Sequence, residues 1–131
     1  MDTNVDLNIY HDKQNGIIVT EATGPLTTES VRNGIENALI CSREHTCELL
    51  LFDLRKCTVE RPILEGFIDI HDLMRFEGLT FRHKLAIIYN PVLYPEDRAR
   101  FIENVVVNRP NPPFRMFREK KEAIAWLKEF V

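Results

Sequence analysis

Glu48-Leu49-Leu50-Leu51-Phe52-Asp53 is the stretch on which the reading of this chain turns. The run is too short for a stable helix and nearly continuous in apolar character, so it predicts a strand covered on both faces and central in a sheet. Lys84-Leu85-Ala86-Ile87-Ile88-Tyr89 repeats the pattern and is ended by Asn90-Pro91. Buried strands separated by helix-length segments predict a largely parallel sheet, because parallel neighbours need a crossover between them.

On the N-terminal side of residues 48–53, Thr27 or Thr28 can cap a helix with Val31, Ile35, Ala38 and Leu39 at one-turn spacing, ending near Cys41 or Ser42. Further upstream, Leu7 to His11 and Gly16 to Thr20 flank Asp12-Lys13-Gln14-Asn15. Asn15-Gly16 supplies the positive-φ residues of a tight reversal, and Gly24-Pro25 is read as the stop of the second strand. Downstream, Pro62 opens a second helix with Ile63, Phe67, Ile70, Leu73 and Met74 inward, broken at Gly78. A third starts at Pro95-Glu96-Asp97 and carries Phe101, Ile102, Val105 and Val106 to Asn108-Arg109-Pro110 and Pro112-Pro113. A strand from Phe114 to Phe117 and a helix from Glu119, with Ala123, Ile124 and Leu127 inward, close the order ββαβαβαβα. The expected fold is α/β: a mixed, largely parallel sheet flanked by helices, with one antiparallel pair at the start.

Composition narrows the function classes. The 131 residues fit one domain, 1–131, and 44% hydrophobic against 28% charged residues belong to a folded chain. A net charge of −3 is too weak to recruit nucleic acid over the whole surface. The charge is polarised: residues 1–66 hold 6 basic and 11 acidic groups, residues 67–131 hold 11 and 9. No apolar run approaches the ~20 residues of a bilayer span, so no membrane crossing is expected. Three cysteines and a start without a secretory leader point to the cytoplasm.

Three segments carry a resemblance: Thr20-Glu21-Ala22-Thr23-Gly24-Pro25-Leu26-Thr27, the central Leu51-Phe52-Asp53-Leu54-Arg55, and Phe114-Arg115-Met116-Phe117 with Glu122-Ala123-Ile124-Ala125-Trp126-Leu127. On these the chain resembles the STAS-like proteins, and among them the small SpoIIAA-like branch, over nearly its full length. The resemblance implies a sheet of four or five strands flanked by helices, used for binding protein partners and, in some members, nucleotides or lipid-like molecules. It does not imply an enzyme. Anti-sigma-factor antagonists of this family carry a phosphoacceptor serine in an Asp-Ser-Ser-Gly turn after the strand. Here the matching stretch reads Asp53-Leu54-Arg55-Lys56-Cys57-Thr58-Val59-Glu60-Arg61-Pro62-Ile63, and the serine is missing.

Other chemistry is weakly supported by the residues. Asp53 at a strand end does not complete a receiver-type phosphorylation site, since the acidic pair for Mg²⁺ and the partner Lys are not evident. Cys41, His45 and Cys47, with Cys57 as a fourth thiolate, are ligand types for Zn²⁺ at an uncommon spacing; ordinary half-buried thiols are the plainer reading. His11-Asp12 and His71-Asp72 are isolated, and five glycines at 16, 24, 34, 66 and 78 form no phosphate loop or nucleophile elbow. Arg98, Arg100, Arg109, Arg115 and Arg118 with Lys120 and Lys121 read as a solvated basic face. Trp126 reads as a packing anchor or dimer contact.

The function expected is therefore a non-enzymatic binding or regulatory module without cofactor or metal. Its binding surface joins Asp53, Arg55, Arg61 and Asn90, at strand C-terminal ends where α/β folds expose loops. The partner is a protein or a second copy, or else a small anionic or apolar ligand. The alternatives are a carrier of an apolar or lipid-like molecule between the sheet and the helix bearing Phe67, Ile70, Met74 and Phe76, and a zinc protein through Cys41, His45 and Cys47.

Overall fold

Five strands lie side by side in chain order, β1 Asp6–Asp12, β2 Ile17–Leu26, β3 Leu49–Val59, β4 Lys84–Ile88 and β5 Phe114–Phe117. This is a computed structural model, and it describes residues 6–59, 82–90 and 114–130. β1 and β2 are antiparallel, and every later pair is parallel. Residues 48–53 thus read correctly as the middle of the sheet. Helix α1, Thr28–His45, and helix α2, Lys120–Lys128, are the helices of the described residues. The second and third predicted helices fall outside them.

The β1–β2 reversal is held by the predicted residues. The Asn15 amide donates to Asp12 Oδ2 at 2.8 Å, the Gly16 N–H donates to the Asp12 carbonyl at 2.8 Å, and Gly16 takes φ 69°. A residue with a Cβ is disfavoured there, so the Asn15-Gly16 pair fixes the register Asp12↔Ile17 through Asp6↔Thr23.

α1 starts where the sequence places it. The Ser30 N–H donates to Thr27 Oγ1 at 3.1 Å and the Thr27 N–H donates to Ser30 Oγ at 2.8 Å, a reciprocal capping box. The helix runs three residues past Ser42, the expected end, through polar Arg43, Glu44 and His45. Thr46 ends it in the left-handed region, φ 50° and ψ 50°.

Alternation along the strands divides the core. Ile18, Leu50, Phe52, Leu85, Ile87 and Met116 pack with Ile35, Ala38 and Leu39 of α1. Ile17, Val19, Leu51, Ala86, Ile88 and Phe117 pack with Ala123 and Leu127 of α2. The sheet is therefore sandwiched, which is why its central strands show no polar alternation.

Two strand boundaries need correction. β2 does not stop at Gly24-Pro25: it runs to Leu26, with Pro25 opposite Thr58 on β3. β1 accompanies β2 only as far as Thr23, so beyond it one edge carries no ladder among the described residues, and a proline lacking N–H is tolerated there. β3 does not end at Asp53 but continues six residues to Val59. Its ladder with β2 steps from Glu21↔Asp53 to Thr23↔Lys56, leaving one extra residue in β3. Pairing that resumes past this bulge and runs to Val59 places Asp53 inside the strand.

Candidate functional site

Asp53 still stands at a structural boundary, because β4 ends at Ile88, directly opposite it. Past that point β3 keeps β2 as neighbour but loses β4. The change of environment explains the sequence: apolar through Phe52, then Asp53, Leu54, Arg55 and Lys56, with Arg55 and Lys56 exposed.

Arg55 folds back on Asp53. Its Nε donates to Asp53 Oδ1 at 2.9 Å, its Nη2 donates to Oδ2 at 2.7 Å, and its backbone N–H donates to Oδ1 at 3.2 Å. The paired fork matches guanidinium and carboxylate edge to edge. The Asp53 side chain is 12% exposed and that of Arg55 44%. Burial pushes the Asp53 carboxyl up, but the hydrogen bonds and charge of Arg55, with a smaller attraction from Lys120, outweigh it and hold it below its ordinary value. The same pairing raises Arg55.

Asn90 follows β4 and its side-chain amide lies 3.5 Å from the Arg55 carbonyl, donating across the sheet end. The structure so brings together three of the four predicted residues, Asp53, Arg55 and Asn90. Arg61 lies outside the described residues. A cavity of about 320 Å³ opens beside the fork, lined by Asp6, Asn8, Glu21, Asp53, Arg55 and Lys56 among others. Glu21 accepts from the Asn8 amide at 2.9 Å. Carboxylates and cations share this wall, a chemistry suited to polar contacts.

The cysteine cluster is not assembled as a metal centre. No group of three or more His, Cys, Asp or Glu side chains among the described residues is arranged to hold a metal ion. The Cys47 thiol lies 3.2 Å from the Gly16 carbonyl, which it faces as a donor, and the His45 ring stacks on His11 with centroids 4.3 Å apart. Burial raises all three thiols above their ordinary value, Cys57 to about 11.

The helix bearing Phe67, Ile70, Met74 and Phe76, assigned to an apolar carrier, lies outside the described residues. A different apolar cavity sits under α1, lined by Leu7, Thr20, Leu26, Val31, Gly34 and Phe52 among others, and its volume is about 40 Å³. That is a small fraction of the ~300–1,000 Å³ of small-molecule sites. Of the basic face, Arg115 lies over the Phe117 ring at 5.4 Å and Lys120 Nζ is 3.5 Å from Tyr10 Oη. Trp126 is a packing anchor, 5.8 Å from Phe117 and 5.1 Å from Phe130 between ring centroids. No helix of the described residues is long and apolar enough to cross a membrane.

Sequence reading missed the bulge and the His11–His45 stack. The two histidines are 34 positions apart, and nothing local ties a strand end to a helix end; only the pairing of β1 with β2 and the length of α1 bring them together.

No family model matches the chain, and no curated protein matches it in sequence. Solved structures do. One is an uncharacterised protein of the DUF3478 family with a SpoIIAA-like fold from Shewanella loihica, 21% identical over 97% of this chain and 98% of its own, with a TM-score of 0.59. Another is an anti-sigma factor antagonist from Mycobacterium paratuberculosis, 12% identical over 98% of this chain and 97% of its own, with a TM-score of 0.61.

Proposed function

We propose that this SpoIIAA-like chain is a non-enzymatic regulatory module of the cytoplasm that works by binding a protein partner, without a phosphoacceptor serine. The observation that carries the reading is the Asp53–Arg55 fork at the end of the β3–β4 ladder, fixed in geometry and, on its Arg55 side, open to solvent. A preformed pair of this kind offers a directional polar contact without an ordering cost at the moment of binding. Asn90 beside it extends the same surface, and Arg61, further along the chain, is proposed to contribute to it. The likeness in fold to an anti-sigma factor antagonist supports a protein as the partner.

The test is quantitative affinity capture with the wild-type chain, Arg55→Glu and Arg61→Glu, followed by a measured affinity for each recovered protein. A partner whose affinity falls about tenfold or more in the variants supports the surface, as a charge-assisted contact of ~1.5–3 kcal/mol requires. If both variants bind every recovered protein as the wild type does, this surface is not the contact.

A further inference from the structure

The apolar cavity between α1 and the sheet, about 40 Å³ in volume, contains a hydroxyl that the fold leaves unused. We propose that this cavity binds a short, unbranched, uncharged aliphatic molecule ending in a single oxygen, which the Thr20 hydroxyl holds. The proposal is independent of the protein-binding surface proposed at Asp53 and Arg55.

Thr20 is the first observation. It lies two residues beyond Ile18 on the α1 face of β2 and lines the cavity with Val31 and Gly34 of α1. The residue is 2% exposed, and its Oγ1 is buried with no hydrogen-bond partner. A valine after Ile17, Ile18 and Val19 would have the same shape and bury no polar atom. A buried hydroxyl left unpaired loses its hydration without replacement. An oxygen brought in by a ligand supplies the missing partner.

Water does not fill this role. A buried water is held by about two to four polar groups, and voids with apolar walls stay dry. Ser30 carries the other hydroxyl at the cavity, and its Oγ accepts from the Thr27 N–H at 2.8 Å and donates to the Thr27 carbonyl at 3.0 Å. Ser30 is thus committed to the helix cap. Every other lining side chain among the described residues is apolar or, at Gly34, absent.

Gly34 is the second observation. It sits inside α1, buried against the cavity, where glycine weakens a helix relative to alanine. No close approach requires it, since the nearest atom to a Cβ built there is Leu7 Cδ2 at 4.0 Å, an ordinary contact. What the glycine provides is room in front of the sheet, on the face that carries Thr20.

Size and charge set the class of ligand. A void of ~150 Å³ accommodates benzene, so 40 Å³ excludes a ring and takes a chain of about two to three non-hydrogen atoms. Buried Thr20, Gly34 and Ile35 form the floor, and half-buried Leu7, Leu26, Val31 and Leu54 form the rim. The oxygen therefore points inward, and the far end of the chain meets the rim. None of the lining residues is ionisable, so a charged head would be buried without a counter-charge.

Amide and methyl NMR signals of the full chain, titrated separately with 1-propanol and with xenon, test this. 1-Propanol is expected to give saturable shifts centred on Thr20, Val31, Gly34 and Leu54. Thr20→Val keeps the shape and removes the hydroxyl, so it should weaken 1-propanol binding about tenfold and leave xenon binding unchanged. Gly34→Ala puts a methyl group into the cavity and should weaken both, with amide signals far from α1 staying in place. The proposal is overturned if 1-propanol shifts do not saturate or scatter over the surface, or if Thr20→Val binds 1-propanol as the wild type does. Xenon binding without saturable 1-propanol binding would mark a plain packing void and overturn it as well, as would a Gly34→Ala chain that binds both probes unchanged.

Discussion

Among single residues, the described part of the chain separates groups by burial more than by type. Cys57 is 3% exposed, and burial followed by the Asp53 charge pushes its thiol up to about 11. Since the thiolate is the reactive form, Cys57 should be nearly inert to a disulfide reagent at pH 8 in the native protein, while the half-buried Cys41 reacts first. In urea all three should react alike; equal native rates for Cys41 and Cys57 would refute this. Asp53 acts in the opposite direction. Its carboxyl is lowered on folding, so its contribution is complete above the unfolded value of ~3.9 and is lost as the pH falls through the lower folded value. The wild-type advantage over Asp53→Asn, at most about 1 kcal/mol because Arg55 is half exposed, should therefore shrink in urea titrations below about pH 4. A difference that stays constant from neutral to acid pH would show that the pair adds no linked stability. Both roles rest on neighbours that sequence does not disclose: Asp53 was legible as a special position, but its partner two residues away was not.

Among the elements, the beginnings of α1 and of the hairpin were readable because their chemistry is local. Thr27 reaches Ser30 three residues on, and Asn15 reaches Asp12 three residues back. The ends were not readable for the same reason reversed. β3 continues through polar Asp53 to Lys56 because β2 pairs with it there, and β2 continues through Pro25 because β3 pairs with it in turn, Pro25 opposite Thr58. α1 ends on Thr46, a residue no end signal marks. Thr46→Gly should raise unfolding stability by about 1 kcal/mol in urea denaturation, since it removes the left-handed penalty on a β-branched side chain. A loss of stability instead would mean that the Thr46 side chain contributes more to the fold than its backbone costs.

Across the molecule, the sheet is the common wall of two cores, and Leu51 on the middle strand is fully buried on the α2 side. Leu51→Ala should cost about 3 kcal/mol by urea or thermal unfolding, within the range for a buried leucine leaving a cavity. Ile40, 45% exposed on α1, should tolerate Ser within about 0.5 kcal/mol. Comparable losses at the two positions would contradict the layered packing. The succession of elements along the chain, the antiparallel start and the two-sided burial of residues 48–53 follow from the residues alone, because turn chemistry, capping and hydrophobic periodicity act over a few positions. Where β2 and β3 end, that Asp53, Arg55 and Asn90 share one sheet end, and that His11 meets His45 beside Arg82, Lys84 and Phe130 emerge with the folded chain and not before. Those outcomes depend on register and on which strand lies alongside which, and a register is set by contacts between segments tens of residues apart.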